Sequence, residues 1–389
     1  MPCAVFMKKV SVKKKKIAVR PKKKTNPLAK KRKLVIGARK KKIAQRKPRK
    51  ISPSRRVQPI SLSLAKSPQN PIMMPRPNLH WESGQTFNPA AVLIGDTIHF
   101  LYRAIGSDGV SRLGYAASVD GVNICDRSLH PAYQHAMKIG AVSIVSYASG
   151  GSWGGAEDPR LTRVGDENVL YMTYTACDGG LRVGLTSIKI DDFLKKRWKW
   201  KPPVFLSPPG EVHKNWVIFP EKIKGKYAVL HSVSPKISIA YFDSLTFDDA
   251  EYIMSHFANE PRRRNWDYWI RGAGPTPVKT KHGWLLLYHA MGKERNQYEV
   301  GAMLLDLNNP TKILYRSREP ILVPDQRYEN EGFKSGVVYA SGAIIKDDQL
   351  YVYYGGADSV ICVATAPLEE FLQSLMKGRA PQLKKMSLK

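Results

Sequence analysis

The sequence predicts an all-β body, a five-bladed β-propeller, preceded by a disordered basic arm and closed by a short C-terminal helix. Three observations predict it. Residues 1–81 hold 26 Lys and Arg and no Asp or Glu, the first carboxylate being Glu82. From about residue 81 one β-rich unit recurs five times. Helical periodicity is confined to a few short stretches.

The basic arm comes first. The chain has 389 residues and a formal net charge of +31, yet the 308 residues after position 81 hold 37 bases against 32 acids. The charge excess is therefore local. Runs such as Lys13–Lys16 and Lys30–Lys33 repel themselves, prolines at 21, 27, 48, 53 and 59 interrupt any helix, and little apolar surface offsets the entropy of ordering. Residues 1–67 are expected to be a disordered Lys/Arg-rich arm, and residues 68–389 one propeller domain. Such an arm can contact nucleic acid or another polyanion by counterion release, without sequence readout. It carries no interleaved aromatics for base stacking.

Composition narrows the class further. Hydrophobic residues make up 43% of the chain, enough for a large core. No apolar run reaches the roughly 18 residues of a membrane span. The four cysteines, Cys3, Cys125, Cys177 and Cys362, are scattered and form no CxxC pair, so neither a disulfide scaffold nor a metal site is expected. A basic N-terminus without an apolar secretory core points to a cytoplasmic setting.

The repeating unit is an inner segment, a turn, an apolar strand ending in Tyr or His, a loop, and a strand of small residues. Its turns are Gly95-Asp96, Gly165-Asp166, Lys224-Gly225, His282-Gly283 and Asp347-Asp348. The Tyr or His positions are 102, 174, 231, 289 and 354, spaced by 72, 57, 58 and 65 residues. One such unit cannot bury both faces of its small sheet, whereas neighbours stacked around an axis can. After Pro367, Leu368, Phe371, Leu372 and Leu375 fall at helical spacing and predict a rim helix.

In a propeller the inner strands converge on the axis, so polar residues at their entry ends are candidates for a central site. These are Asn88, the Glu157-Asp158-Pro159-Arg160 run, Lys214-Asn215, Arg271, and Lys334 to Ser341. Trp153 lies between Gly150-Gly151 and Gly154-Gly155, an aromatic on a flexible loop suited to stacking on a sugar.

Seven separated motifs, in order along the body, resemble glycoside hydrolase family 130. They are Phe87-Asn-Pro-Ala-Ala91, Leu101-Tyr-Arg-Ala104, Gly114-Tyr-Ala116 with Ser118, Asp120 and Gly121, Glu157-Asp-Pro-Arg160, Phe219-Pro-Glu-Lys-Ile223 with Gly225-Lys-Tyr227, Arg271-Gly-Ala-Gly-Pro275, and Tyr353-Tyr-Gly-Gly-Ala-Asp358. The resemblance implies a five-bladed propeller. It also implies an inverting enzyme acting on β-mannosides, either a phosphorylase that releases mannose 1-phosphate or a hydrolase. Inorganic phosphate would be a co-substrate, with no metal or organic cofactor.

Carried over residue by residue, Asp158 matches the family's general acid. A carboxylic acid shielded from water can keep its proton near neutral pH and protonate a departing sugar oxygen, in this family partly through a substrate hydroxyl. With phosphate as nucleophile the second carboxylate of an inverting hydrolase becomes dispensable. Phosphate requires cations, for which Arg103, Arg182, Lys214, His231 and His289 are the candidates. Asn88, Arg160 and Asp358 are candidates for holding sugar hydroxyls, and Trp153, Tyr288 and Tyr102 for apolar faces. Many phosphorylases of the family carry Arg after the histidine matching His231, where this chain has Ser232. That departure favours hydrolysis, for which Glu211, Glu221 and Asp267 are candidate bases. A third reading is a non-catalytic propeller tethered to nucleic acid by its arm, against which the intact Glu-Asp-Pro-Arg run stands.

Overall fold

The structure is a computed structural model that describes residues 62–137, 144–247, 251–255, 265–293 and 297–378. Among these residues the chain runs as five antiparallel meanders. Their main strands are Gln85–Ile94, Thr97–Ile105 and Val110–Ser118; then Gly154–Arg163, Val169–Cys177 and Leu181–Lys189; then Val217–Ile218, Tyr227–Ser232 and Ser238–Phe242; then Trp269–Ala273, Gly283–Met291 and Tyr298–Leu305; and finally Val338–Lys346, Gln349–Gly356 and Val360–Pro367. The five strand groups coincide with the five sequence repeats. The tight turns obey local chemistry: Lys224 and Gly225 (φ 53° and 80°) and Asp347 and Asp348 (φ 50° and 58°) take the doubly left-handed conformation of a two-residue hairpin turn.

The second strands carry a repeated packing device. Tyr102 pairs across the sheet with Gly114, Tyr174 with Gly184, and Tyr288 with Gly301. A Cβ on these glycines would lie 2.3, 2.6 and 2.5 Å from the opposing ring, so each ring lies flat where only glycine clears it. Three of the repeated tyrosines donate to a buried carboxylate, Tyr102 to Glu82 at 2.8 Å, Tyr288 to Asp267 at 2.9 Å and Tyr354 to Glu329 at 2.8 Å. This register corrects the sequence alignment of the fourth repeat. The repeated position is Tyr288, not His289, and because side chains alternate faces, one residue of slip exchanges a core ring for the opposite face.

The first and last parts of the body are one sheet. Ala65–Lys66 pairs antiparallel with Val360–Pro367, with Ala65 opposite Thr365. Leu64 is buried in the core shared by the fourth and fifth meanders. The Lys66 ammonium reaches Asp325 at 2.5 Å and Glu329 at 2.6 Å. The body therefore begins before residue 68, a correction to the expected boundary, because Leu64 and Lys66 supply contacts that local composition does not reveal. Residues 1–61, which make up most of the expected arm, lie outside the described residues.

The C-terminal helix is Leu368–Lys377, and it buries Phe371, Leu372 and Leu375 in that same core. No helix among the described residues is long and apolar enough to cross a membrane. Cys177 and Cys362 are buried core thiols, and Cys125 is exposed.

Candidate active site

The first strand of a meander is interrupted where it nears its neighbours. The ladder shifts register between Phe87 and Ala90, Glu157 and Arg160, Ile270 and Gly272, and Ala340 and Gly342. Asn88, Asp158 and Asn215 take φ of 47°, 46° and 67°, and Gly272 of 123°. Asn and Asp tolerate this left-handed backbone better than other side chains, and such bulges re-aim a side chain out of the sheet.

The interrupted segments contact one another in sequence. Asn88 Nδ2 donates to Asp158 Oδ1 at 2.8 Å, Arg160 Nη2 to Asn215 Oδ1 at 3.1 Å, and Asn215 Nδ2 to the Arg271 carbonyl at 3.0 Å. A Cβ at Gly274 would lie 3.0 Å from the Ala340 carbonyl, and one at Gly342 would lie 2.7 Å from that of Pro89. First touches second, second third, third fourth, fourth fifth, and fifth first.

A cavity of about 160 Å³ opens at this junction. Asp158, Asp358 and Asn88 line it together with the cations Lys214, Arg271 and Lys334 and the phenols Tyr298 and Tyr339. Three cations face two carboxyls. The field is strong enough to act on a phenol: burial alone would raise the Tyr298 pKa, but Lys214, Arg271 and Lys334 together hold it below its ordinary value. Lys214 donates to Ser149 Oγ at 3.3 Å, and the Lys334 ammonium sits 4.7 Å from the Tyr298 ring centroid. Neither has an ion-pair partner among the described residues, which suits the site to an anion.

Behind the wall a buried network fixes Asp158. Arg103 is fully buried and directs Nη2 to Glu157 at 2.7 Å and to Ser152 at 3.1 Å, Nη1 to Asp158 at 3.4 Å and to the Ser149 carbonyl at 3.3 Å, and Nε to Ser111 at 3.0 Å. Arg160 Nη1 donates to the Asp158 carbonyl at 2.6 Å. Burial acts to raise the Asp158 pKa, but Arg103, Arg160, Lys214 and the Asn88 amide outweigh it and hold the carboxyl below its ordinary range. The sequence reading expected shielding to keep this acid protonated, and the surrounding cations reverse that expectation. Asp358 is the opposite case. Its burial dominates over Lys334 and Arg103, and Asp158 adds to it, pushing it up to about 6.

The predicted site residues divide into three groups. Asp158, Asn88, Asp358 and Lys214 meet on the cavity. Arg103 and Arg160 stand one layer behind it with their guanidiniums engaged by protein, so Arg103, expected among the phosphate cations, holds Asp158 and does not line the cavity. The remainder are elsewhere. Arg182 stacks 3.9 Å above the Phe205 ring centroid and donates twice to the Ser207 carbonyl. His231 bonds Ser255 at 2.8 Å, and burial lowers its pKa to about 4. His289 donates from Nε2 to the Ala340 carbonyl at 2.7 Å, stacks 3.8 Å from Tyr339, and is held at about 3 by burial and Arg160. Neither histidine lines the cavity or carries charge at neutral pH. Tyr288 and Tyr102 are framework residues. Trp153 is 41% exposed on the loop preceding the second meander.

The candidate bases are also displaced. Glu211 pairs with His213, Glu221 with Lys279, and Asp267 lies under Tyr288. Ser232, where many phosphorylases of the family carry Arg, donates to the Ser234 carbonyl and does not line the cavity. The site also contains residues to which the sequence reading gave no role. Arg271 follows a recoverable rule, since Glu157, Lys214 and Arg271 each immediately precede a bulge residue. Lys334 and Tyr339 belong to the Lys334 to Ser341 run that the sequence named for a central site without a role, and Tyr298 alone arrives unannounced, through tertiary folding.

A recessed carboxyl held beside a cationic cavity on a β-meander scaffold suits an enzyme that pairs a titratable carboxyl with an anionic substrate. The comparisons place it further. Residues 56–377 match the family described as beta-1,4-mannooligosaccharide phosphorylase. A 1,2-beta-oligomannan phosphorylase of Thermoanaerobacter sp. (strain X514) is 36% identical over 323 residues, 79% of this chain and 99% of the relative. The solved beta-1,2-mannobiose phosphorylase from Listeria innocua, in complex with beta-1,2-mannobiose, superposes with a TM-score of 0.63 at 25% identity, covering 80% of this chain and 99% of that one. A structure from work on family 130 glycoside hydrolases that target beta-1,2 mannosidic linkages in Candida mannan superposes with a TM-score of 0.64 at 25% identity, covering 82% and 95%. The chain belongs to glycoside hydrolase family 130.

Proposed function

We propose that the protein is an inverting β-mannoside phosphorylase, with β-1,2-linked oligomannosides as the preferred substrate class. The observation that carries this reading is the meeting of Lys214, Arg271 and Lys334 with Asp158 in one cavity. Phosphate lies against the three cations. Asn88 and Asp358 hold hydroxyls of the terminal mannosyl unit. A phosphate oxygen forms the new bond to the anomeric carbon as the bond to the leaving oxygen breaks on the opposite face.

The proton balance closes overall. Hydrogen phosphate and a β-mannoside become mannose 1-phosphate and an alcohol, so one proton leaves phosphate and one reaches the leaving oxygen. Asp158 delivers a proton of its own: the anion offsets the cations that otherwise keep Asp158 ionised, Asp158 takes up a proton from solvent and passes it to the leaving oxygen directly or through a sugar hydroxyl, and the proton that phosphate gives up on the opposite face returns to solvent. Arg103 holds Asp158 in place without touching substrate.

The test is β-1,2-mannobiose with and without phosphate. Mannose 1-phosphate is expected only in its presence, and equal release of free mannose in both would overturn phosphorolysis. Hydrolysis is the second reading. Asp358 favours it, being a second carboxyl on the same cavity that could activate water.

The cyclic contacts among the five first strands, with Ala65–Lys66 paired to the last strand, support reading the meanders as blades of a five-bladed propeller around this cavity. The basic arm, residues 1–67 in the sequence reading, is proposed to hold the enzyme near polyanions in a cytoplasmic setting. Salt-dependent retention on heparin, lost when residues 1–61 are removed, is the expected outcome.

A further inference from the structure

The cavity is small for the substrate class. Ligand pockets commonly run from about 300 to 1,000 Å³, whereas this one encloses about 160 Å³. An oligomannoside therefore extends beyond it, and the adjoining surface is specific. Among the described residues four aromatic side chains are exposed: Tyr147 (39%), Trp153 (41%), Tyr241 (39%) and Phe333 (44%). Three of them touch. Tyr147 stacks on Trp153 with centroids 4.6 Å apart and planes at 23°, and it meets Phe333 edge-on at 5.7 Å.

This cluster borders the cavity. Ala148 and Ser149, which follow Tyr147, line it, and so does Lys334, which follows Phe333. Its backbone is fixed. Gly151 N donates to the Tyr147 carbonyl at 2.7 Å, Trp153 N to the Gly109 carbonyl at 2.9 Å, and Phe333 N to Ser359 Oγ at 2.8 Å. Gln85 Nε2 bridges the Gly150 and Asp358 carbonyls at 3.2 and 2.7 Å, tying the aromatic loop to the turn that carries Asp358. Glycines clear space for the rings: a Cβ at Gly109 would lie 2.6 Å from Trp153, and one at Gly151 2.9 Å from Phe333. Exposed rings clustered beside a site mark a binding surface, and a flat ring that loses little entropy on binding suits the CH face of a pyranose.

We propose that Tyr147, Trp153 and Phe333 form an outer leaving-side subsite, on which the sugars beyond the disaccharide unit stack while the cavity holds the reacting mannosyl unit. The assignment rests on the proposed activity and adds to it a preference for longer chains. The cluster makes affinity grow with the sugar beyond the disaccharide.

The test uses the full chain in the synthetic direction, with mannose 1-phosphate as donor and mannose, β-1,2-mannobiose or β-1,2-mannotriose as acceptor. Tyr147→Ala and Phe333→Ala are expected to raise KM for the two longer acceptors by about tenfold, the effect of leaving one aromatic face exposed. KM for mannose 1-phosphate should move less than twofold. Tyr147→Phe keeps the ring and should restore the wild-type ratio. An equal change for all three acceptors, or none, overturns the subsite. If the protein makes no mannose 1-phosphate at all, calorimetric titration of Asp158→Asn protein with mannobiose and mannotriose decides the point separately. The tighter binding of mannotriose should vanish in the alanine variants, and its persistence overturns the assignment.

Discussion

First and second strands of the same meanders carry similar polar residues and put them to opposite uses. On the first strands the ladder is broken, Asn88 and Asp158 sit in left-handed backbone, and their side chains leave the sheet for the cavity. On the second strands the ladder is intact through Tyr102, Tyr174 and Tyr288, and their rings lie in the core. Strain and exposure to a ligand go together, as do regular pairing and stability. Arg103 and Lys214 show the same division among cations. Arg103 is enclosed by five protein acceptors, whereas Lys214 keeps its charge on the cavity.

Substitutions can break this contrast. The largest effect belongs to Asp158→Asn, expected to lower kcat by about 10³-fold, within the range for loss of a proton donor, while circular dichroism shows the sheet content intact. Phosphorolysis near the wild-type rate would place the acid elsewhere. Arg103→Met should act on folding instead. It takes the nearest cation away from the buried carboxylates Glu157 and Asp158 and is expected to cost about 3–5 kcal/mol in urea denaturation. Little change there would remove Arg103 from the framework.

Lys334→Ala should raise KM for phosphate by about tenfold, a loss of roughly 1.4 kcal/mol, with the urea midpoint unmoved. A midpoint that falls with an unchanged KM would make Lys334 structural.

Asp358 sharpens the contrast through pH. Its folded-state pKa of about 6 lies above the ordinary carboxylate value. Its contribution to stability is thus fully present below about pH 4 and is lost as pH rises through 6. Asp358→Asn should therefore be more stable than wild type at pH 7.5, by about 3 kcal/mol, and no more stable at pH 4. Equal gains at both pH values would contradict the burial effect.

The smallest effect is expected for Tyr288→Phe. Losing the hydroxyl that serves Asp267 should cost about 1–2 kcal/mol of stability and leave phosphorolysis within twofold. A large loss of activity would return Tyr288 to the sugar site.

The comparison also explains what could be read in advance. Asp158 and Asn88 were legible because polar residues at the entry ends of inner strands stand there in contiguous motifs that match the family. The histidines were not. His231 and His289 look like cations in a list of residues, but only burial shows them neutral and turned to Ser255 and Ala340. Arg182 was misleading because Phe205 and Ser207, which hold it, are distant in sequence.

By itself the sequence determined the β-rich repeat, the turns, the C-terminal helix and the family, and singled out Asp158, because each is written in local pattern or contiguous motif. Only the tertiary structure decided which of the candidate cations share the cavity, that Arg103 and Arg160 stand behind the wall, and that cations keep Asp158 ionised. Electrostatic balance depends on which distant charges converge, and convergence across five meanders has no local signature.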